Sequence, residues 1–411
     1  MGLLMAQKKA VLADQAHRWV KATKKEKTAI LDHVCAVNHW SRDHGRRMMS
    51  RAVRGQDVNQ RRKTRDPVYR YSPEIIDALA VCWAVLDGPS GKILAPALPE
   101  LVDRLRVYGD VVITDEMAAL LVSMSASTID RRLKPYRDKL ELPGRGRSLT
   151  KPGSMLKSQI PLKTWHEWDD RSPGFIEIDL VGHDGGDNNG AFHYTLNAVD
   201  VATGWTETIT ITSKSDKAVA GGLDYLYLRF PFPILGIHSD NGSEFINHRV
   251  LSWCTTRMIT FTRGRANHSN DQAFIEQRNW SIVRRAVGYF RYDTPTEATH
   301  LNQLWPLLSH LTNYFLPQQR LVSKTRIGAT VTRRYDKATT PVARLLAHDP
   351  DPLDPTDKTL VTTTMATLDP AGLRRTIALI QSNLIMLAKR RGPVPQRPKR
   401  NHVYLARTKI T

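Results

Sequence analysis

Residues 234–246, Ile-Leu-Gly-Ile-His-Ser-Asp-Asn-Gly-Ser-Glu-Phe-Ile, read as a short buried strand that stops at Asp240 and turns on Asn241-Gly242 into a helix from about Ser243. An apolar run broken in this way delivers a carboxylate to the carboxyl end of a strand, where open α/β sheets place their ligand chemistry. Taken alone, Asp-Asn-Gly is equally the opening of a surface turn. The carboxylates elsewhere in the chain decide between the two.

Upstream, Phe175-Ile176-Glu177-Ile178-Asp179-Leu180-Val181 is a strand by composition, apolar except for two carboxylates that a central strand does not bury without reason. A Gly/Asp/Asn loop at 182–190 leads to a second strand, Phe192 to Val201, and Thr203-Gly204 turns it into a third, Trp205 to Ile211. A helix over about Asp216 to Arg229 precedes the strand ending at Asp240. A strand near Met258 to Thr262 and a long helix from about Asp271 to Tyr289 follow. The order β-β-β-α-β-α-β-α predicts a mixed α/β core of five strands with helices on both faces.

Asp179 then sits mid-strand, Asp240 at the end of a neighbouring strand, and Glu276 one turn into the long helix. Between the first two lie 60 residues, and between the second and third 35. Three carboxylates repel one another unless a cation lies among them, and hard oxygen ligands suit Mg2+ or Mn2+. That is the arrangement of two-metal phosphoryl chemistry, with two ions per site. Glu177, Glu244 and Asp271 are rivals. Asp271 is explained as an N-cap and Glu244 as a first-turn acid favoured by the helix dipole. Gln272, Glu276 and Asn279 share one face of the long helix, and Ile275, Ile282, Ala286 and Tyr289 another.

The bulk numbers point the same way. Lys plus Arg outnumber Asp plus Glu by 60 to 40 over 411 residues, a net charge of +20 that calls for a polyanionic partner, with nucleic acid ahead of a membrane surface. The longest apolar run, Ile75 to Leu86, is too short to span a bilayer and contains Asp77. Met1 to Ala6 carries no signal-peptide or myristoylation pattern, which suggests a soluble intracellular protein. Cys35, Cys82 and Cys254 are odd in number and scattered, so they support neither a disulfide framework nor a four-cysteine zinc site. His33, Cys35, His39 and His44 fit no standard finger.

Ahead of the core, two short helices within Lys24 to Arg54, the second capped by Ser41, suggest a helix-turn-helix unit. Arg42, Arg46, Arg47, Arg51 and Arg54 on its second helix supply guanidinium groups for phosphates and guanine edges, or else form a solvated basic face. Residues 55–72 are linker-like. A helix from Ser72-Pro73-Glu74 follows, and Thr114 and then Ser125 or Ser127 cap the two helices of a second such unit, where Ser127, Arg131, Arg132 and Lys134 are the candidate DNA contacts. Pro143 to Gly153 is a Gly/Pro/basic boundary in which Arg145 and Arg147 reach a minor groove or simply belong to a flexible linker. Residues 324–345 are basic and poorly periodic. Asp369-Pro370 opens a last amphipathic helix, expected to dock on its own chain, and a basic tail follows. The expected domains are 1–60 (helix-turn-helix), 61–141 (a second helical DNA-binding domain), 142–165 (linker), 166–320 (catalytic core) and 321–411 (basic C-terminal region).

Ile178-Asp179, His238-Ser239-Asp240-Asn241-Gly242-Ser243-Glu244-Phe245 and the gap to Glu276 resemble the integrase and DDE transposase superfamily. The resemblance is closer to bacterial insertion-sequence transposases through Asn270 to Trp280, Val283 to Tyr289 and Asp200-Val201-Ala202-Thr203-Gly204-Trp205. It covers about 150 to 350 specifically. The resemblance implies an RNase H-like core, two Mg2+ (or Mn2+) ions held by Asp179, Asp240 and Glu276, and cutting and joining of element-end DNA by a homo-oligomer in the bacterial cytoplasm, at the nucleoid. Asn241, Arg278 and Asn279 join the candidate DNA contacts. The zinc-binding His/His/Cys/Cys module of retroviral members is absent, and Arg278 stands where many relatives carry Lys, which changes phosphate geometry. The alternatives are a DNA-binding regulator, a catalytically inactive relic, or a purely hydrolytic RNase H-like nuclease.

Overall fold

The computed structural model describes residues 5–55, 70–138, 172–264, 275, 278–327 and 330–390. The chain divides into two compact units, Met1–Arg70 and Tyr71–Thr411. Among the described residues no helix is long and apolar enough to cross a membrane.

The first unit is helical: α1 (Met5–Lys21), α2 (Lys24–Asn38) and α3 (Arg42–Val53). Polar caps fix where its helices begin. Thr23 and Glu26 form a reciprocal capping box at the start of α2, and Ser41 accepts from the backbone N–H of His44 at the start of α3. Leu12, Ala16, Val34 and Met49 then close a small core.

The second unit opens with α4 (Pro73–Val85), α5 (Gly91–Val107), α6 (Asp115–Val122) and α7 (Ala126–Arg137). Thr114 and Ser125 cap α6 and α7 through the N–H groups of Met117 and Thr128. Asp130 on α7 ties the helices together by accepting from the backbone N–H of Gly91 at 2.7 Å and from Arg137 at 2.6 Å. Gly91 must be glycine, because a Cβ there would overlap the carbonyl oxygen of Ala126.

The core sheet contains β1 (Phe175–Gly182), β2 (Tyr194–Asp200), β3 (Thr206–Ile211), β4 (Gly236–Ser239) and β5 (Thr260–Arg263), in the order β3-β2-β1-β4-β5. β1–β2 and β2–β3 are antiparallel, and β1–β4 and β4–β5 parallel. This is the mixed five-stranded core that the sequence predicts. α8 (Asp216–Tyr227) and α9 (His248–Thr256) join its strands.

A π-helical segment, Asn279–Arg284, runs into α10 (Arg285–Val287) and stops at Gly288, whose φ of 66° favours glycine. It is the described part of the long helix expected over Asp271 to Tyr289, and residues 271–274, 276 and 277 lie outside the described residues. α11 (Pro295–His310) and a second π-helical turn, Leu311–Phe315, cover the edge strand β3. Asn302 bonds both backbone groups of Thr210 (2.7 and 3.1 Å), and Asn313 both of Thr206 (3.0 Å each). Two side-chain amides thus stand in for a sixth strand and seal an edge that would otherwise pair with another chain.

Within the basic, poorly periodic stretch 324–345 lie parts of the antiparallel hairpin β6 (Leu321–Ile327) and β7 (Thr330–Tyr335) and of α12 (Pro341–Leu346). The hairpin escapes a periodicity reading because it has no apolar face. After α13 (Pro355–Thr367), α14 (Pro370–Arg390) buries Ile377, Ile380 and Leu384 against its own chain, mainly along α11. Arg285 and Arg374 both reach Asp87, tying α10 and α14 to the end of α4.

Candidate active site

Register brings the two described carboxylates together. β1 and β4 run parallel with Glu177 opposite His238, so continuing each strand by two residues sets Asp179 beside Asp240. Each carboxylate is held from its own backbone. Oδ1 of Asp179 accepts from the N–H of Leu180 (2.8 Å), and Oδ1 of Asp240 from the N–H of Gly242 (2.8 Å). Asn279 donates from Nδ2 to Oδ2 of Asp179 (2.6 Å), and its own Oδ1 accepts from Asn197 (3.1 Å), the residue paired with Asp179 on β2. The amide chain Asn197–Asn279–Asp179 therefore fixes one carboxylate from both neighbouring elements.

Glu244 is a correction to the sequence reading. α9 begins only at His248, capped by Asn247, so Glu244 lies in the tight turn before the helix and not in its first turn. Its side chain is buried at 4% exposure, and among the described residues its Oε2 has no hydrogen-bond partner. A Cβ on Gly242 would lie 2.7 Å from the Glu244 carboxyl carbon and 2.9 Å from Oδ1 of Asp240. Only glycine lets the two acids share the turn. The signal in the sequence was Phe245-Ile246, two apolar residues that pull the segment inward.

The electrostatics follow from crowding. Burial pushes the Asp179 carboxyl up to about 7, helped by repulsion from Asp240 and Glu244 and opposed by the bonds from Leu180 and Asn279. Burial also raises Asp240, and burial followed by repulsion from Asp240 raises Glu244. Asp179 ionises fully at neutral pH only if positive charge joins it. Oxygen donors with an uncompensated buried Oε2 suit a hard divalent cation. Among the described residues no group of three or more His, Cys, Asp or Glu side chains is arranged to hold a metal ion. Glu276, the third ligand expected from the sequence, lies outside the described residues. Its neighbour Ile275 is held by Glu177 of β1, which accepts from the Ile275 N–H at 2.9 Å. The buried Glu177 side chain thus anchors the chain at Ile275 to β1.

The candidate DNA contacts divide into groups. On α3, Arg42 pairs with Asp32 at 2.6 Å and Arg46 with Asp43 at 3.6 Å, Arg47 is exposed and Arg51 half-buried. On α7, Ser127 is close to Ser125, Arg131 bonds Thr128, Lys134 pairs with Asp138, and Arg132 is half-buried. Arg145 and Arg147 lie outside the described residues.

Asn241, Arg278 and Asn279 make hydrogen bonds within the fold. Asn241 donates to the carbonyl of Gly264 (2.7 Å) and accepts from Arg263 (3.0 Å), locking the exits of β4 and β5 together. Arg278 turns onto Gln318 beside the Gly204 turn, where burial lowers its pKa to about 10. Asn279 serves Asp179, as above.

The integrase core domain family matches residues 169–269. Uncharacterized protein y4rM of Sinorhizobium fredii is 34% identical over 329 residues, covering 80% of this chain and 91% of that protein. The catalytic core domain of BIV integrase is 20% identical with a TM-score of 0.28, covering 42% of this chain and 93% of that one.

Proposed function

Because the chain belongs to the DDE transposase and integrase superfamily, we propose that it is a DNA transposase that cleaves transposon ends and transfers their 3′-hydroxyl ends into target DNA. The observation that carries this reading is the approach of Asp179, within β1, to Asp240, just past the end of the parallel strand β4, with burial raising both carboxyls. Asp179, Asp240 and Glu276 would hold two Mg2+ (or Mn2+) ions. When bound, these supply activation of the attacking water or 3′-hydroxyl and stabilisation of the leaving 3′-oxygen.

The chain's own residues do the rest. Asn279 and the Leu180 N–H each engage one oxygen of Asp179 and so fix the carboxylate's orientation. Asn241 and Gly242 hold the turn at Asp240. Glu244 adds negative charge behind Asp240, which raises the site's preference for a dication over a monovalent ion. The helix-turn-helix readings of α2–α3 and α6–α7 supply DNA recognition through Arg47, Arg51, Arg131, Arg132 and their neighbours, and a homo-oligomer would bring two ends to one target. The net charge of +20 supports a polyanionic partner.

The test incubates the protein with duplexes made from the DNA flanking its own coding region, a target duplex and Mg2+, scoring both nicked and joined products. Joined product supports transposition. Nicks without joining would favour a hydrolytic nuclease, and binding without either would favour a regulator.

A further inference from the structure

The hairpin β6–β7 has no role in the chemistry above, and its construction calls for a partner. Its stem is fixed. Asp336 accepts from the backbone N–H of Arg320 (2.6 Å) and from Arg344 (2.8 Å), Arg344 also donates to the carbonyl of Gln318 (2.7 Å), and Arg320 donates to the carbonyl of Ala202 (2.8 Å) in the β2–β3 turn. Gln318 in turn receives Arg278, the residue next to Asn279 on the π-helical segment. One stretch of helix therefore holds both the hairpin stem and the Asp179 carboxylate.

Beyond the stem, the ribbon's described side chains are exposed on both faces. Val322 is 64% and Tyr335 48% exposed, and Ser323, Thr325, Thr332, Arg333 and Arg334 are exposed as well. An isolated two-stranded ribbon is marginal by itself in water. Successive strand residues point to opposite faces, so Arg333 and Arg334 give each face a guanidinium. Among the described residues neither arginine has an ion-pair or hydrogen-bond partner. The sequence from 321 to 335 holds four cations, Lys324, Arg326, Arg333 and Arg334, and no acid, and the register pairs Lys324 with Arg333. At about 3.4 Å per residue the ribbon extends roughly 20 Å, and a two-stranded ribbon fits the roughly 12 Å major groove of duplex DNA.

We propose that β6–β7 is a DNA-binding arm whose Arg333 and Arg334 contact the phosphates of duplex DNA, and whose stem couples that contact to the helix bearing the Asp179 clamp. The charge complementarity of both faces and the absence of any acid select a phosphate backbone over an acidic protein. This inference rests on the DNA chemistry proposed above.

The test measures binding of the full chain to a duplex DNA oligonucleotide of arbitrary sequence while salt is raised about fourfold, from about 50 to about 200 mM. Each lost phosphate contact lowers the salt slope by about 0.9, so Arg333→Ala/Arg334→Ala is expected to lower it by about 1.8. The affinity then falls about 12-fold less across that salt range than it does for the wild type. Arg333→Lys/Arg334→Lys is expected to keep the wild-type slope. If the wild type binds and joins DNA while the alanine variant keeps the full slope, the arm is overturned and the function stands. If the lysine variant loses the slope, or the change appears with duplex RNA and not with duplex DNA, the arm is likewise overturned. A wild type that does not bind DNA overturns the function and this inference with it.

Discussion

Replacing Asp179 by Asn is predicted to stabilise the metal-free protein near pH 8 while abolishing its activity. Burial and the neighbouring acids raise the Asp179 carboxyl from 3.8 to about 7. At roughly 1.4 kcal/mol per pH unit, the ionised form costs the native state up to about 4 kcal/mol. The sign follows from proton binding. Between pH 3.8 and about 7 the native state holds a proton that the unfolded state has released, so this contribution is fully present below the unfolded value and is lost as pH rises through the folded one. The introduced side chain carries no charge to desolvate, but its amide must turn one N–H towards either the Leu180 N–H or the Asn279 amide, two donors that now meet carboxylate oxygens. That mismatch costs about 1–2 kcal/mol.

The net expectation is a gain of about 2–3 kcal/mol at pH 8 that shrinks to roughly zero at pH 5, where the wild type has lost only about 1.7 kcal/mol of this contribution. Urea unfolding of wild type and variant in the presence of a chelator, at both pH values, reads this difference directly. Millimolar Mg2+ should then stabilise the wild type at pH 8 and leave the variant unmoved. A variant no more stable than the wild type at pH 8, or a stability difference that ignores pH, would refute the crowded-carboxylate reading.

Asn279→Ala should slow joining roughly 10- to 100-fold, the worth of a charge-assisted hydrogen bond, with DNA affinity unchanged in a gel-shift measurement. A parallel loss of affinity would instead assign Asn279 to the DNA. Glu207→Ala should destabilise the core by about 3 kcal/mol or more, because it strands the Arg229 guanidinium and the donors Trp205 and Ser309; thermal unfolding checks this. Gly91→Ala should cost about 2 kcal/mol by driving α5 from α7, and a melting temperature equal to wild type would show that the helices yield freely.

The sheet was legible because its strands alternate with Gly, Asn and Asp punctuation that survives without tertiary context. The Asp179–Asp240 pairing was legible because strand order fixes which residues meet. Glu244 was misassigned because the Asp-Asn-Gly turn continues five residues longer than the helix signal suggests, and a buried acid before a helix has the same sequence as an exposed acid within it. The hairpin escapes for the opposite reason: Lys324, Arg326, Arg333 and Arg334 break any apolar alternation along its strands. The hydrogen bonds of Asn241 to Gly264 and of Arg278 to Gln318 cannot be read from a residue type or from a resemblance.

The most direct test of the central proposal is strand joining with Mg2+ by the wild type and by Asp179→Ala, Asp240→Ala and Glu276→Ala, with DNA binding measured beside it. Joined product from the wild type, and none from the three variants while each still binds DNA, is the expected result. Full joining by any one of the three variants would contradict it.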